Sequence, residues 1–145
     1  MTSRNRRNGP QDLEGQKSAV RARGLTFTYD KGAAPALDGI DLTLPAGEAA
    51  AVVGASGAGK STLCLTTNSL APRFVRGRLD GELQVLGVRM GDIPVQEMSG
   101  RVGMVLQDFE AQLFSTSAEL EVAFGLENLG VSRERMREIV PASLE

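Results

Sequence analysis

Apolar and polar positions alternate in part from Val20 to Tyr29, with Val20, Leu25, Phe27 and Tyr29 as the apolar set, and this predicts a half-exposed strand. Asp30-Lys31-Gly32 reads as the turn that follows it. Leu37, Ile40, Leu42 and Leu44 mark a second strand over 37–44, interrupted at Asp38-Gly39 and closed by Pro45-Ala46-Gly47. The unbroken apolar run from Ala49 to Val53 predicts a strand covered on both faces. Beyond a glycine-rich stretch, Leu63, Leu65, Thr66 and Leu70 fit a helix packed back on the sheet and ended by Ala71-Pro72.

Farther on, Arg73 to Asp80 is basic and contains glycine, which predicts a loop. Gly81 to Gly87 alternates cleanly through Glu82–Leu86 as a short strand, and Ile93 to Ser99, behind Pro94, suits one or two helical turns. Val102, Met104, Val105 and Leu106 predict another buried strand over 101–107. The last third changes character: Thr116 to Glu119 fits a capping box, and Val122, Ala123, Leu126 and Leu129 follow at helical spacing up to Gly130. Ser132 to Val140 begins a second helix of alternating charge, limited by Pro141. Antiparallel edge strands feeding a buried strand, with helices after it, predict a mixed α/β fold that ends in a helical lobe.

The stretch between the run 49–53 and the helix carries the chemistry. Gly54, Ala55, Ser56, Gly57, Ala58, Gly59, Lys60, Ser61 and Thr62 satisfy the phosphate-loop pattern G-x-x-x-x-G-K-[ST] at each fixed position. Glycines at 54, 57 and 59 let the backbone bend closely around a polyphosphate with its N–H groups turned inward. Lys60 adds a point charge for the β and γ phosphates, Ser61 offers a hydroxyl to Mg²⁺, and the helix start presents unpaired N–H groups to the same anion.

Composition narrows the remaining classes. A chain of 145 residues with 41% hydrophobic and 23% charged positions suits one globular domain, and no apolar stretch approaches the roughly 20 residues of a membrane span. A net charge of −2 gives no support for general nucleic-acid binding. The N-terminal 19 residues, with Arg4, Arg6, Arg7 and Lys17 against Asp12 and Glu14, read as a disordered basic tail, with a lipid-surface or RNA contact as the rival reading. Cys64 is the single cysteine, which excludes an internal disulfide; its place on the phosphate-loop helix predicts a small buried packing residue. With no histidine, histidine catalysis and ligation within the 145 residues are excluded.

Three separated features, Tyr29 to Glu48, Gly54 to Thr62 and Val102 to Asp108, resemble the first half of an ABC-transporter ATPase. The resemblance implies a P-loop NTPase core over 20–109, with mixed sheet and antiparallel edge strands, and the start of a helical subdomain over 110–145. It further implies ATP and Mg²⁺ as cofactors, Tyr29 as a platform that stacks on adenine, and Gln107, 47 positions after Lys60, as the Q-loop glutamine that senses the γ-phosphate and Mg²⁺. The segments Gln107–Phe114 and Glu121–Leu129 are similar to the ATPase subunits of energy-coupling-factor importers, which take up vitamins and transition-metal ions. Implied partners are a transmembrane transporter subunit and a second ATPase domain, at the cytoplasmic face of the cell membrane. Leu113, Phe114 and Phe124 would then help form a groove for a coupling helix, against a plain packing role.

Departures from the family pattern shape the expectation. Phe109 stands where proline often follows Gln-Asp, and the 145 residues contain no LSGGQ-like signature, no apolar strand ending in Asp-Glu and no switch histidine. Met98 to Arg101 reads as a turn rather than a signature remnant. The expectation is nucleotide binding with negligible hydrolysis by these residues alone. Rival readings are a truncated non-catalytic nucleotide-binding or interaction module, a phosphate-loop kinase or GTPase, and, at residue level, Asp108 as the Mg²⁺-holding acid.

Overall fold

The computed structural model describes residues 18–144. The basic tail expected over 1–19 falls almost wholly outside them. In order the elements are β1 (Ser18–Tyr29), β2 (Leu37–Pro45), α1 (Lys60–Thr67), a short helical segment α2 (Leu70–Arg73), β3 (Gly77–Val85), β4 (Val88–Arg89), α3 (Val95–Ser99), a 3₁₀ turn at Glu110–Gln112, α4 (Ala118–Asn128) and α5 (Arg133–Ala142). The chain divides into two compact units that meet in sequence at Gly103 and Met104.

In the first unit the strands form one antiparallel sheet of order β2-β1-β3-β4. The partial alternation of β1 has a structural cause. Ala22 and Leu25 both face the core although they are three residues apart, because a bulge at Gly24 (φ 55°) absorbs the extra residue. The same device recurs in β2, where Gly39 (φ 57°) separates buried Leu37 from Ile40. A bulge takes an amide out of the ladder, and each of these amides finds a side chain on the neighbouring strand. Gly24 N–H donates to Asp41 Oδ1 (2.7 Å), and Gly39 N–H donates to Thr26 Oγ1 (3.0 Å).

Leu25, Phe27, Leu37, Leu83 and Val85 form the sheet side of the core, joined by Ala71 and by Met98 of α3, with Leu63 and Leu65 of α1 packed against them. Thr66 is buried too, and its hydroxyl is satisfied locally by donating to Leu63 O (2.7 Å).

Several expectations are corrected. The run 49–53 forms no strand, and Val53 is 88% exposed. The stretch 101–107 likewise forms none, with Val105 82% exposed. Both runs have the composition of doubly covered strands, but among the described residues the sheet ladder includes neither; in the second run only Val102 packs against the core. Residues 77–80, expected as loop, extend β3 by pairing with Thr26 to Tyr29 of β1, and Gly77 sits against the Phe27 ring, where a Cβ would come within 2.5 Å of it. Cys64 is exposed rather than buried; the buried face of α1 is carried by Thr62 and Thr66. Helix α1 ends at Thr67, before the expected Ala71-Pro72, as Ser69 takes a positive φ (65°).

In the second unit the cap of α4 lies one residue later than the box pattern suggests: Ser117 is the N-cap and accepts from Leu120 N (3.3 Å). Ser132 caps α5 by accepting from Arg135 N (3.4 Å). Pro141 lies inside α5, close enough to its end that the helix runs on to Ala142.

Candidate nucleotide-binding site

The phosphate loop joins the run 49–53 to α1, and its conformation depends on glycine at defined points. Gly57 and Gly59 hold φ of 79° and 85°, in the left-handed region that side chains disfavour. Gly59, the N-cap of α1, is constrained by space as well: a Cβ there would come 2.2 Å from Ala36 O and 3.1 Å from Leu37 Cδ2. The loop thus rests on the chain that leads into β2. That chain is itself fixed to β1, because Ala36 N–H donates to Phe27 O (2.7 Å).

Helix α1 begins bonding internally with Leu63 N–H to Gly59 O (2.9 Å), so the preceding amides of Lys60, Ser61 and Thr62 have no acceptor one turn back. The first turn of this helix carries no acidic side chain. Three orphan donors and the positive end of the helix dipole therefore meet where the loop ends. Lys60 Nζ donates to Gly54 O (2.9 Å) and Ala55 O (2.7 Å), which bridges the start of the loop to its end. An ammonium bonded to neutral carbonyls gains a stronger acceptor when an anion reaches it. Ser61 is exposed at the helix start. These donors suit a polyphosphate, and Ser61 offers an oxygen to a Mg²⁺ held by it. Among the described residues there is no cluster of three or more His, Cys, Asp or Glu that could hold a metal by itself.

Tyr29 stands at the end of β1. Its ring meets that of Phe27 edge to face, with centroids 5.0 Å apart and planes at 86°, and its hydroxyl lies 2.8 Å from Thr62 Oγ1. Tyr29 and Thr62 are thus brought into direct contact. Ala36 and Phe27, which support the loop and the ring, belong to no motif. The only signal for Phe27 is its place in the apolar alternation of β1.

Gln107 belongs to the second unit, where it is exposed. The backbone just before it is held by a residue with no assigned part in the motif reading. Gln112 Oε1 accepts from Leu106 N–H (2.8 Å) and its Nε2 donates to Met104 O (3.4 Å), as a neighbouring strand would. Glu121 of α4 plays a similar part at residues 114–115, accepting from Phe114 N–H (3.1 Å) and Ser115 N–H (2.8 Å). The Ser115 amide, ahead of the other contacts, lowers the Glu121 pKa below the ordinary carboxylate range. Leu113, Phe114 and Phe124 are exposed, with the two phenyl rings 5.8 Å apart. No helix among the described residues is long and apolar enough to cross a membrane.

Comparison with known proteins places these features in context. The family model described as ABC transporter matches residues 37–142. An ABC transporter ATP-binding protein of Caldanaerobacter subterraneus subsp. tengcongensis is 47% identical over 122 residues, which cover 83% of this chain and 21% of that protein. Another, of Pyrococcus abyssi, is 41% identical over 117 residues, 81% of this chain and 42% of that protein. Among solved structures, CbiO1 from Clostridium perfringens, part of the ABC transporter complex CbiONQ, is similar with a TM-score of 0.73 and 27% identity, over 89% of this chain and 50% of that one. The chain therefore spans half or less of each of these relatives.

Proposed function

This chain belongs to the ABC transporter family, and from that we propose that it is the nucleotide-binding front part of an ATPase subunit that couples ATP binding and hydrolysis to transmembrane transport. The observation that carries the reading is the phosphate loop itself: its left-handed glycines, the buttress at Ala36 and the orphan donors of α1 suit a triphosphate. Lys60 and the loop amides hold the phosphates, Ser61 takes the metal and Tyr29 receives the base; the role of Gln107 toward the metal rests on the family resemblance alone. Mg²⁺, when bound, neutralises the charge on the β and γ phosphate oxygens.

Gln107, as the Q-loop residue that senses the γ-phosphate, is the catalytic residue that the resemblance assigns to the chain. A signature segment and an acid at the end of a further apolar strand complete a hydrolytic site in the family, and the 145 residues contain neither. Binding therefore belongs to these residues, and turnover belongs to a complete site with a second ATPase domain. Import of a small solute such as a vitamin or metal ion, by way of a transmembrane subunit at the cytoplasmic face of the membrane, is supported by the likeness to CbiO1 and by the Gln107–Phe114 segment.

Titration calorimetry with MgATP tests this directly. Lys60→Ala is expected to weaken binding by about tenfold to a hundredfold, the range for loss of a charge-assisted contact to phosphate. Equal affinity in the two proteins sinks the assignment. Steady ATP turnover by the 145 residues alone, abolished in the same variant, sinks the division between binding and turnover.

A further inference from the structure

Tyr29 is the only tyrosine of the chain, and its hydroxyl is used. An aromatic platform for a base needs only a π face, so phenylalanine would serve equally well. Here the phenol oxygen reaches 2.8 Å across to Thr62, a residue 33 positions away and 5% exposed, on the first turn of the helix that ends the phosphate loop. At its other side the same ring is braced by Phe27, which is fully buried in the core.

We propose that the Tyr29–Thr62 hydrogen bond couples recognition of the base to recognition of the phosphates, with Tyr29 a positioning residue for the phosphate site and Thr62 the joint. The inference rests on the nucleotide-binding reading above and adds a role which that reading does not need.

Between two hydroxyls either oxygen can donate, and the contact by itself leaves the direction open. An anion at the start of α1 removes the ambiguity. It accepts a hydrogen bond from the Thr62 hydroxyl, which leaves Thr62 Oγ1 only lone pairs to offer Tyr29, and the phenol becomes the donor. The chain Tyr29 O–H to Thr62 O–H to phosphate oxygen then runs in one sense, and each bond polarises the next. No bond breaks and no proton leaves its oxygen. A base on the Tyr29 ring holds the phenol in place before the phosphates settle, and phosphates at Thr62 hold the ring for the base. By linkage the two effects are equal.

The test uses a ligand with no base. Magnesium tripolyphosphate and MgATP are titrated by calorimetry into the intact protein that carries this sequence and into its Tyr29→Phe, Thr62→Val, Thr62→Ser and doubly substituted Tyr29→Phe/Thr62→Val forms. Tyr29→Phe keeps the ring and is expected to weaken tripolyphosphate about threefold to tenfold, the range of one hydrogen bond. Thr62→Val should do the same, and the double form should be no weaker than the weaker single form. Thr62→Ser keeps the hydroxyl and should bind more tightly than Thr62→Val, which separates loss of the bond from loss of fold. Tripolyphosphate binding unmoved by Tyr29→Phe, losses that multiply in the double form, or a Thr62→Ser form as weak as Thr62→Val overturns the coupling. If the parent binds neither ligand, the nucleotide-binding reading falls and the coupling falls with it. If the parent binds both and Tyr29→Phe changes neither, the coupling alone falls.

Discussion

The strand β1 and the run 49–53 are both rich in apolar residues, and they end in opposite environments. Phe27 of β1 is fully buried, with a strand on each side of it and α-helical cover below; Val53 is 88% exposed and pairs with no strand. Apolar composition makes a segment able to be a strand. Partners make it one, because backbone N–H and C=O groups must be satisfied along two edges before a central strand can be buried. The same contrast separates β3 from residues 101–107, where in place of a neighbouring strand the side chain of Gln112 supplies contacts at Leu106 and Met104.

The largest effect that probes this difference comes from truncating one residue of each kind in the 145-residue polypeptide. Phe27→Ala should cost about 3–5 kcal/mol in chemical denaturation, enough to unfold the first unit, because it leaves a cavity at the centre of the core. Val53→Ala should stay within about 0.5 kcal/mol of the parent. Comparable losses at the two positions would mean that the run 49–53 is packed after all.

Gly59→Ala comes next in size. The added Cβ meets a backbone oxygen 2.2 Å away at a residue held at φ 85°, so the loop must move off its seat on Ala36. A cost of about 1–3 kcal/mol in thermal or chemical unfolding is expected from the strain, together with lost MgATP affinity. Gly57→Ala, where a Cβ meets nothing within 4 Å, carries the dihedral penalty alone and should be the milder of the two. The reverse order would show that the seat on Ala36 does not shape the loop.

The smallest effect concerns the second unit. Glu121 has a lowered pKa in the folded chain, chiefly from the Ser115 amide, so its carboxylate stabilises the fold above the ordinary carboxylate range and the contribution is lost as pH falls through the lowered value. Melting curves of the parent and of Glu121→Gln should therefore differ slightly at neutral pH and converge in acid. A difference that persists unchanged in acid would assign the effect to something other than the charge.

Much of the candidate site is legible in the sequence. The loop Gly54–Thr62 and the helix behind it follow from local requirements: an anion needs converging amides, those amides need glycine dihedrals, and Lys60 and Ser61 must follow at once. The order of β1, β2 and α1 was likewise visible in apolar spacing. The bulges at Gly24 and Gly39 left a trace, since Leu25 and Ile40 fall out of phase with the residues before them. That trace identifies a skipped position, yet it does not say which side chains satisfy the displaced amides. The cap at Ser117 was masked for a related reason: Thr116 and Glu119 satisfy the box spacing, whereas Ser117, followed three residues on by Leu120, caps the helix without it.

Local chemistry along the chain thus decided what this protein is equipped to bind and which residues face it, because a phosphate loop is contiguous and its rules act over a few bonds. The tertiary structure decided whether an apolar run is buried, which oxygen supports Gly59, and that the hydroxyl of Tyr29 meets Thr62. Those outcomes depend on groups that are 23 and 33 positions apart in sequence, and only folding sets such distances.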